Sequence, residues 1–436
     1  MRKTKFISNQ KATVPVVKPM GKAQLIAGLK VTGFVAALVL LTTLISTVLA
    51  NGKNDYKFSF KDFYSASANE VDVVYMGASS TNWNFNPVVA YHENGVASQL
   101  MGSAALPADA MPYLLKEASI KKPSVYIIDV QRLMGQLSDD FAAAESVIVN
   151  LRLSQNRLGA AKGLLETYTD EEKMSGYFPL GYFHGRWKNL SRNDFVPADM
   201  DFMGWNMYMT NSGKLPAGKE ALVVAPNDPG VAYIENLNKV FEVCKGLDGK
   251  VLFMVSPNDV DTGYGYNNFI RDEVTKAGYD YLDASGYIEE IGIGLGDFAM
   301  GAHLTMYGAE KYTKWLSGVL MEKYGLPDRR EQRGFKLNDR YESVYQNYLE
   351  SKVKHGDMLS KWLESINTPR YSVLIAIRDE ATTGLNEDLL YRLSAFGLTD
   401  LKGRFQSSYV AAIDGGSLLY EEISEPESAN SITADG

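Results

Sequence analysis

Two short segments, far apart in the chain, carry the residue types that acyl-transfer chemistry needs. Gly77-Ala78-Ser79-Ser80 follows directly on VDVVYMG (71–77), a short β-branched run that reads as a buried strand. Such a strand presents Ser79 at its C-terminal end, where small neighbours leave Oγ accessible. Downstream, Asp297-Phe298-Ala299-Met300-Gly301-Ala302-His303-Leu304 leads into Gly308-Ala309 and a helical pattern. A serine hydroxyl is a weak nucleophile at neutral pH and needs a base such as His303, which a carboxylate in turn orients. Gly102 stands in the turn after the run Val96–Met101, and its N–H, with that of Ser79, can face a developing oxyanion. Taken singly, the pieces have plainer readings: a Ser-Ser pair after a strand is turn chemistry, and a lone histidine is structural.

The elements that must hold these residues are legible as alternating strands and helices. After the first strand come a helix around 108–120, a strand SVYIIDV (124–130), a helix near 233–246 and a strand KVLFMVS (250–256). A helix over 267–277, a short strand YDYLDA (279–284) and a helix over 308–324 complete the series. This alternation predicts an α/β fold, a parallel sheet covered on both faces as a three-layer unit. Sites in such sheets lie beyond the C-terminal strand ends, where Ser79 is expected.

Order and spacing together resemble the SGNH/GDSL hydrolase superfamily, whose sheet is flavodoxin-like. The resemblance covers 70–325 and is carried by VDVVYMGASSTNWNFNP, KKPSVYIIDV and HLTMYGAEKYTKWL. Within the superfamily the chain is similar to the bacterial membrane-anchored branch, which includes the D-alanyl transfer protein of teichoic-acid biosynthesis and the alginate O-acetylation proteins. The resemblance implies Ser79 as nucleophile, His303 as base and Gly102 as oxyanion donor, with no cofactor. It further implies a membrane-bound O-acyltransferase as partner and a cell-surface glycan or acylated polymer as substrate. Two positions depart from the family pattern. The acid ordinarily stands three residues before the histidine, where this chain has Met300, and Asp297 is the nearest carboxylate. The family's Gly-x-Asn-Asp gives way to Asp129-Val130-Gln131-Arg132, in which Gln131 or Arg132 can donate in place of the asparagine. The departures leave a second expectation open: a degenerate scaffold that binds glycan or an assembly partner.

Residues 31–50 contain no charge and, as a helix, span about 30 Å, the thickness of a bilayer's hydrocarbon core. The thirty residues before them hold seven Lys/Arg and no acid, which predicts a cytoplasmic N-terminus and an extracytoplasmic bulk. The length of the apolar run favours an uncleaved single-pass anchor over a cleaved signal peptide. The localisation expected is therefore the cell membrane, and an exported chain without disulfides, similar to a bacterial branch, points to a bacterium. A net charge of −8 argues against a nucleic-acid partner. The single cysteine, Cys244, excludes an intrachain disulfide and any zinc site drawing two cysteines from this chain. With four histidines as well, no metal site is expected.

The rest of the organisation is read as a linker (51–68), the main domain (69–325), a charged helical connector (326–370), a small α/β accessory domain (371–422) and a disordered acidic tail (423–436). The accessory unit is expected as β-α-β with a turn at Gly415-Gly416, and it resembles the interleukin-like domain. Inside the main domain, 136–232 is an aromatic-rich excursion without strong period. Its His184, Arg186 and Trp187 suit stacking on sugar rings and bonding to their hydroxyls. The alternative is a lid whose aromatics form its own small core.

Overall fold

A computed structural model describes residues 21–50, 56–133, 140–196, 201–206, 216–258, 264–294, 297–299, 303–330, 332–354, 363, 371–378, 385, 387–394, 396–398, 407–415 and 417–424. Strands β1 (Val73–Gly77), β2 (Ser98–Gly102) and β3 (Val125–Asp129) come first in the main unit. A ribbon of two-residue strands, β4 (Asp201–Phe202) and β5 (Trp205–Asn206), intervenes before β6 (Lys250–Val255) and β7 (Asp280–Asp283). The five longer strands form a parallel sheet in the order β2-β1-β3-β6-β7, the doubly wound arrangement expected of strands that alternate with helices.

Alternate residues of each strand feed two cores. Val74, Met76, Tyr126, Ile128, Val251 and Phe253 point to one face, where helices Met111–Ala118, Val231–Cys244 and Tyr264–Lys276 cover them. Val73, Tyr75, Val125, Ile127, Leu252 and Met254 point to the other, under helices Pro87–Asn94 and Met306–Tyr324. Both faces are therefore apolar, as the β-branched runs require.

Several segments differ from the sequence expectation. The supposed linker contains a helix, Lys57–Ser65, which buries Phe58, Phe60 and Phe63. Its polar atoms are also tied down: Ser59 Oγ donates to the Leu100 carbonyl of β2. The excursion forms helices Phe141–Asn150, Gln155–Leu164 and Asp170–Tyr177, and Ala144, Val147, Ile148, Ala160 and Leu164 join the first core. These residues extend the main core rather than forming a separate one. The early part of the connector likewise belongs to the main unit, because Tyr341 and Tyr345 of helix Lys336–Lys354 are buried in the second core. Tyr345 also packs edge-on against Phe202 and Trp205 of the ribbon.

The C-terminal unit has the expected order of strand, helix and hairpin, and its three strands form an antiparallel sheet. Strand β8 (Val373–Ile377) pairs with β9 (Tyr409–Asp414), which pairs with β10 (Ser417–Ile423), and helix Glu387–Ser394 precedes β9. Strand β10 and buried Ser424 carry order past the expected start of the tail at 423. The basic segment up to Met20 and the tail from Glu425 lie outside the described residues.

At the other end, helix Lys22–Ala50 is the one helix among the described residues long and apolar enough to cross a membrane. It starts nine residues before the uncharged stretch, because KAQLIAGLK continues the helical pattern.

Candidate active site

Ser79 opens the helix Ser79–Asn84 at the end of β1, with Ala78 as its N-cap. Its backbone N–H is the first of the helix, a position whose amide has no intrahelical acceptor. The turn from strand to helix requires glycine at position 77: a Cβ there would lie 2.2 Å from Thr81 Oγ1 and 2.5 Å from Asp129 Cβ. Behind the nucleophile candidate, Ser80 Oγ donates to Asp129 Oδ2 at 2.7 Å, and Asp129 is fully buried at the end of β3.

His303 comes to the same edge from the loop before helix Met306–Tyr324. Its Nε2 stands 2.8 Å from Ser79 Oγ, a hydrogen-bonding distance for a nucleophile and its base. Three contacts hold the ring and its loop. The indole of Trp83 stacks on the imidazole, with centroids 5.0 Å apart and planes 28° from parallel. The Ala299 N–H donates to the His303 carbonyl at 2.8 Å. The Leu304 N–H donates to Asn84 Oδ1 at 2.8 Å, while Asn84 Nδ2 reaches Ser256 Oγ just past β6. Trp83 and Asn84 went unnoticed in the sequence, although both stand in the matched stretch a turn beyond Ser79.

Gly102 is paired with Gly77 in the β1–β2 register, which brings the end of β2 beside the Ser79 turn. A Cβ at Gly102 would lie 1.8 Å from Asn82 Oδ1, so only glycine lets the two elements approach this closely. Gln131 is divided in its use. Its backbone N–H is taken by Asp129 Oδ1 at 2.9 Å, which removes it as an oxyanion donor, whereas its buried side-chain Nε2 has no hydrogen-bond acceptor among the described residues. The side chain of Arg132 and the whole of Met300 lie outside the described residues.

Asp297 does not turn to the imidazole. Its Oδ2 accepts from Lys311 Nζ at 2.9 Å and from the Gly294 N–H at 2.8 Å, and no hydrogen bond joins it to His303. The expectation that it orients the base is corrected on that geometry. The following helix places Lys311 against the loop, and the nearest cation takes the carboxylate.

The three candidates for sugar binding are not brought to Ser79. The Arg186 guanidinium donates to the Leu49 carbonyl at the end of helix Lys22–Ala50 and to Asp194 Oδ1, the latter at 2.7 Å. It therefore satisfies a C-terminal carbonyl of the apolar helix and pairs with a buried carboxylate. His184 Nδ1 contacts the Gly181 carbonyl of its own turn at 2.6 Å. Trp187 is 65% exposed. No hydrogen bond or ring contact links any of the three to Ser79 or His303 among the described residues. Among the described residues no group of three His, Cys, Asp or Glu is placed to hold a metal ion.

No protein-family model matches the sequence, and no curated protein matches it. Among solved structures, the crystal structure of an extracellular lipase from Streptomyces rimosus aligns with 58% of this chain and 99% of its own length. It does so at 9% identity and a TM-score of 0.27, too distant to carry a functional argument. What the site can do rests on its own geometry: a serine hydroxyl and an imidazole in contact at the C-terminal edge of a parallel sheet.

Proposed function

We propose that this chain is a membrane-anchored, extracytoplasmic serine esterase or O-acyltransferase of the SGNH type, acting on a cell-surface glycan or teichoic-type polymer in a bacterium. The observation that carries the reading is the 2.8 Å contact between Ser79 Oγ and His303 Nε2. Ser79 Oγ attacks the ester carbonyl while His303 Nε2 takes its proton; the C–O bond to the leaving alcohol then breaks as His303 returns that proton. The acyl group stays on Ser79 until water or a sugar hydroxyl, deprotonated by His303, attacks and regenerates the serine. The Ser79 and Gly102 N–H groups serve the oxyanion, with Gln131 Nε2, a buried donor without an acceptor among the described residues, as the third. Anchoring through Lys22–Ala50 keeps the site near membrane-linked polymer and raises its effective concentration there. A transferase outside the cell has no cytoplasmic acyl donor, so a membrane-bound O-acyltransferase is the partner proposed to deliver the acyl group.

One observation favours a second reading, a binding scaffold of the same fold: the carboxylate of Asp297 is committed to Lys311. A fluorophosphonate probe decides between them. Covalent labelling of the folded protein that disappears in Ser79→Ala supports the enzyme. A folded wild type that does not label supports the scaffold.

A further inference from the structure

Where helix Lys22–Ala50 meets the domain, two adjoining cavities of about 270 Å³ and 340 Å³ share Thr43, Leu153 and Arg157 in their walls. Their chemistry differs. The smaller is apolar, formed by Leu38, Val39 and Thr42 of the helix against Tyr177, Phe178 and Pro179 of the domain. The larger is cationic, with Lys57, Lys61, Arg152 and Arg157 around Tyr64 and Thr47.

Two of these four cations are already engaged. Lys57 donates to the Asp194 carbonyl, and Arg152 lies 3.4 Å from the buried carboxylate of Glu117. The other two make no ion pair among the described residues. Lys61 is exposed. Arg157 is only 8% exposed; one Nη donates to the Leu151 carbonyl, and its buried Nε has no acceptor among the described residues. A buried guanidinium without a carboxylate is costly unless an anion is supplied from outside the chain.

The setting specifies which anion. The wall of the apolar cavity is a helix whose outward residues, Leu38, Val39, Leu40, Leu41 and Leu44, are each at least half exposed, as lipid-facing residues are. The domain surface around the end of the helix also exposes Tyr177, Phe178, Trp187 and Phe195, the amphipathic and aromatic types that settle at a bilayer interface. We infer that this junction is a binding site for one anionic glycerophospholipid, its phosphate between Arg157 and Lys61 and an acyl chain along Leu38, Val39 and Phe178. Glu117 faces Arg152, Asp194 faces Lys57 and Asp62 faces Lys61, which leaves the buried Arg157 guanidinium without a carboxylate among the described residues; it favours a net-negative headgroup over a zwitterionic one, which carries its own cation. The lipid braces the domain against its helix, and the polar network of Arg186, Asp194 and Lys57 lies alongside. The inference rests on the reading of Lys22–Ala50 as a membrane anchor.

The full-length chain is incorporated into bilayers containing equal phosphatidylglycerol and phosphatidylcholine, extracted in mild detergent and weighed by native mass spectrometry. One phosphatidylglycerol is expected to remain bound, in about tenfold preference over phosphatidylcholine. Arg157→Gln removes that preference. Val39→Trp, which fills the apolar cavity without altering a charge, lowers retention of either lipid and guards against misfolding of the arginine variant. Equal retention of the two lipids, retention unchanged in both variants, or displacement of the lipid by millimolar inorganic phosphate overturns the site. Membrane fractionation separates this failure from the other: a chain found in the soluble fraction refutes the anchor, whereas a membrane-bound chain without lipid preference refutes only the site.

Discussion

The Ser79 edge and the aromatic excursion both concentrate residues capable of chemistry, yet the fold treats them in opposite ways. At the edge, strand ends bring Ser79 and His303 into contact, and Trp83 and Asn84 hold the base in place. In the excursion, Arg186 and Asp194 satisfy one another around the last turn of the apolar helix, and Lys57 reaches in to the Asp194 carbonyl. Convergence on a position where a substrate can sit marks a site, whereas mutual neutralisation marks a structural joint. Residue types alone, His-Gly-Arg-Trp against Gly-Ala-Ser-Ser, do not make that distinction.

Removing the nucleophile gives the largest effect expected from this comparison. Ser79→Ala abolishes fluorophosphonate labelling, and His303→Gln slows it by about 10³-fold or more, since an unassisted hydroxyl is a poor nucleophile. Both variants keep wild-type thermal unfolding, because Ser79 and His303 are only half-buried and neither belongs to a core. Labelling that persists at the wild-type rate in His303→Gln would place the edge with the structural joints.

The excursion is expected to respond in the other observable. Arg186→Ala leaves the Asp194 carboxylate, whose side chain is only 5% exposed, without its guanidinium. Breaking such a pair costs roughly 3 kcal/mol of stability, read by urea denaturation, while labelling per folded molecule stays unchanged. A variant with full stability and lost labelling would reverse the assignment and restore Arg186 as a substrate contact.

Helix Lys57–Ser65 joins the two regions, through Lys57 to Asp194 and through Ser59 to β2. Its Asp62 carboxyl accepts from Tyr341 Oη at 2.8 Å, yet burial dominates and pushes its pKa up to about 6. The folded state therefore holds this proton more tightly than the unfolded chain. Its stabilising contribution is fully present below about pH 4 and is lost as the pH rises through about 6. Asp62→Asn is expected to flatten that slope between pH 4 and 6, by roughly 2 to 3 kcal/mol across the window, in denaturation curves measured at each pH. An unchanged slope removes Asp62 as its source.

What the sequence made legible follows from how local each signal is. Strands β1, β3 and β6 were readable because VDVVYMG, SVYIIDV and KVLFMVS combine β-branched runs with flanking Gly or Pro. Ser79 and His303 were readable because each adjoins such an element. Helix Lys57–Ser65 was not, since KFSFKDFYS spaces its aromatics two, three and one apart and gives no clean helical period. Trp83 and Asn84 were invisible as site residues because their partners, His303 and Leu304, lie more than two hundred positions away. Arg186 was misread because its acceptor at Leu49 belongs to a helix read as an isolated anchor.

The smallest expected effect concerns the acid, and it is informative because it is small. A carboxylate that orients a catalytic histidine is worth about 10⁴-fold in rate, as judged by replacing it with its amide. Asp297 instead accepts from Lys311 Nζ and the Gly294 N–H, whereas the imidazole contacts Ser79. Asp297→Asn can still accept from Gly294 but loses the ion pair, which is 7% exposed on the aspartate side and 29% on the lysine side. A stability loss of about 1 kcal/mol and a labelling rate within roughly threefold of wild type are therefore expected. Lys311→Met should share the labelling rate but lose more stability, roughly 3 kcal/mol, because it leaves the buried Asp297 carboxylate without its cation. A thousandfold loss in Asp297→Asn that Lys311→Met does not share would instead mean that the carboxylate swings to His303 during reaction, and the loop would then belong to the catalytic edge.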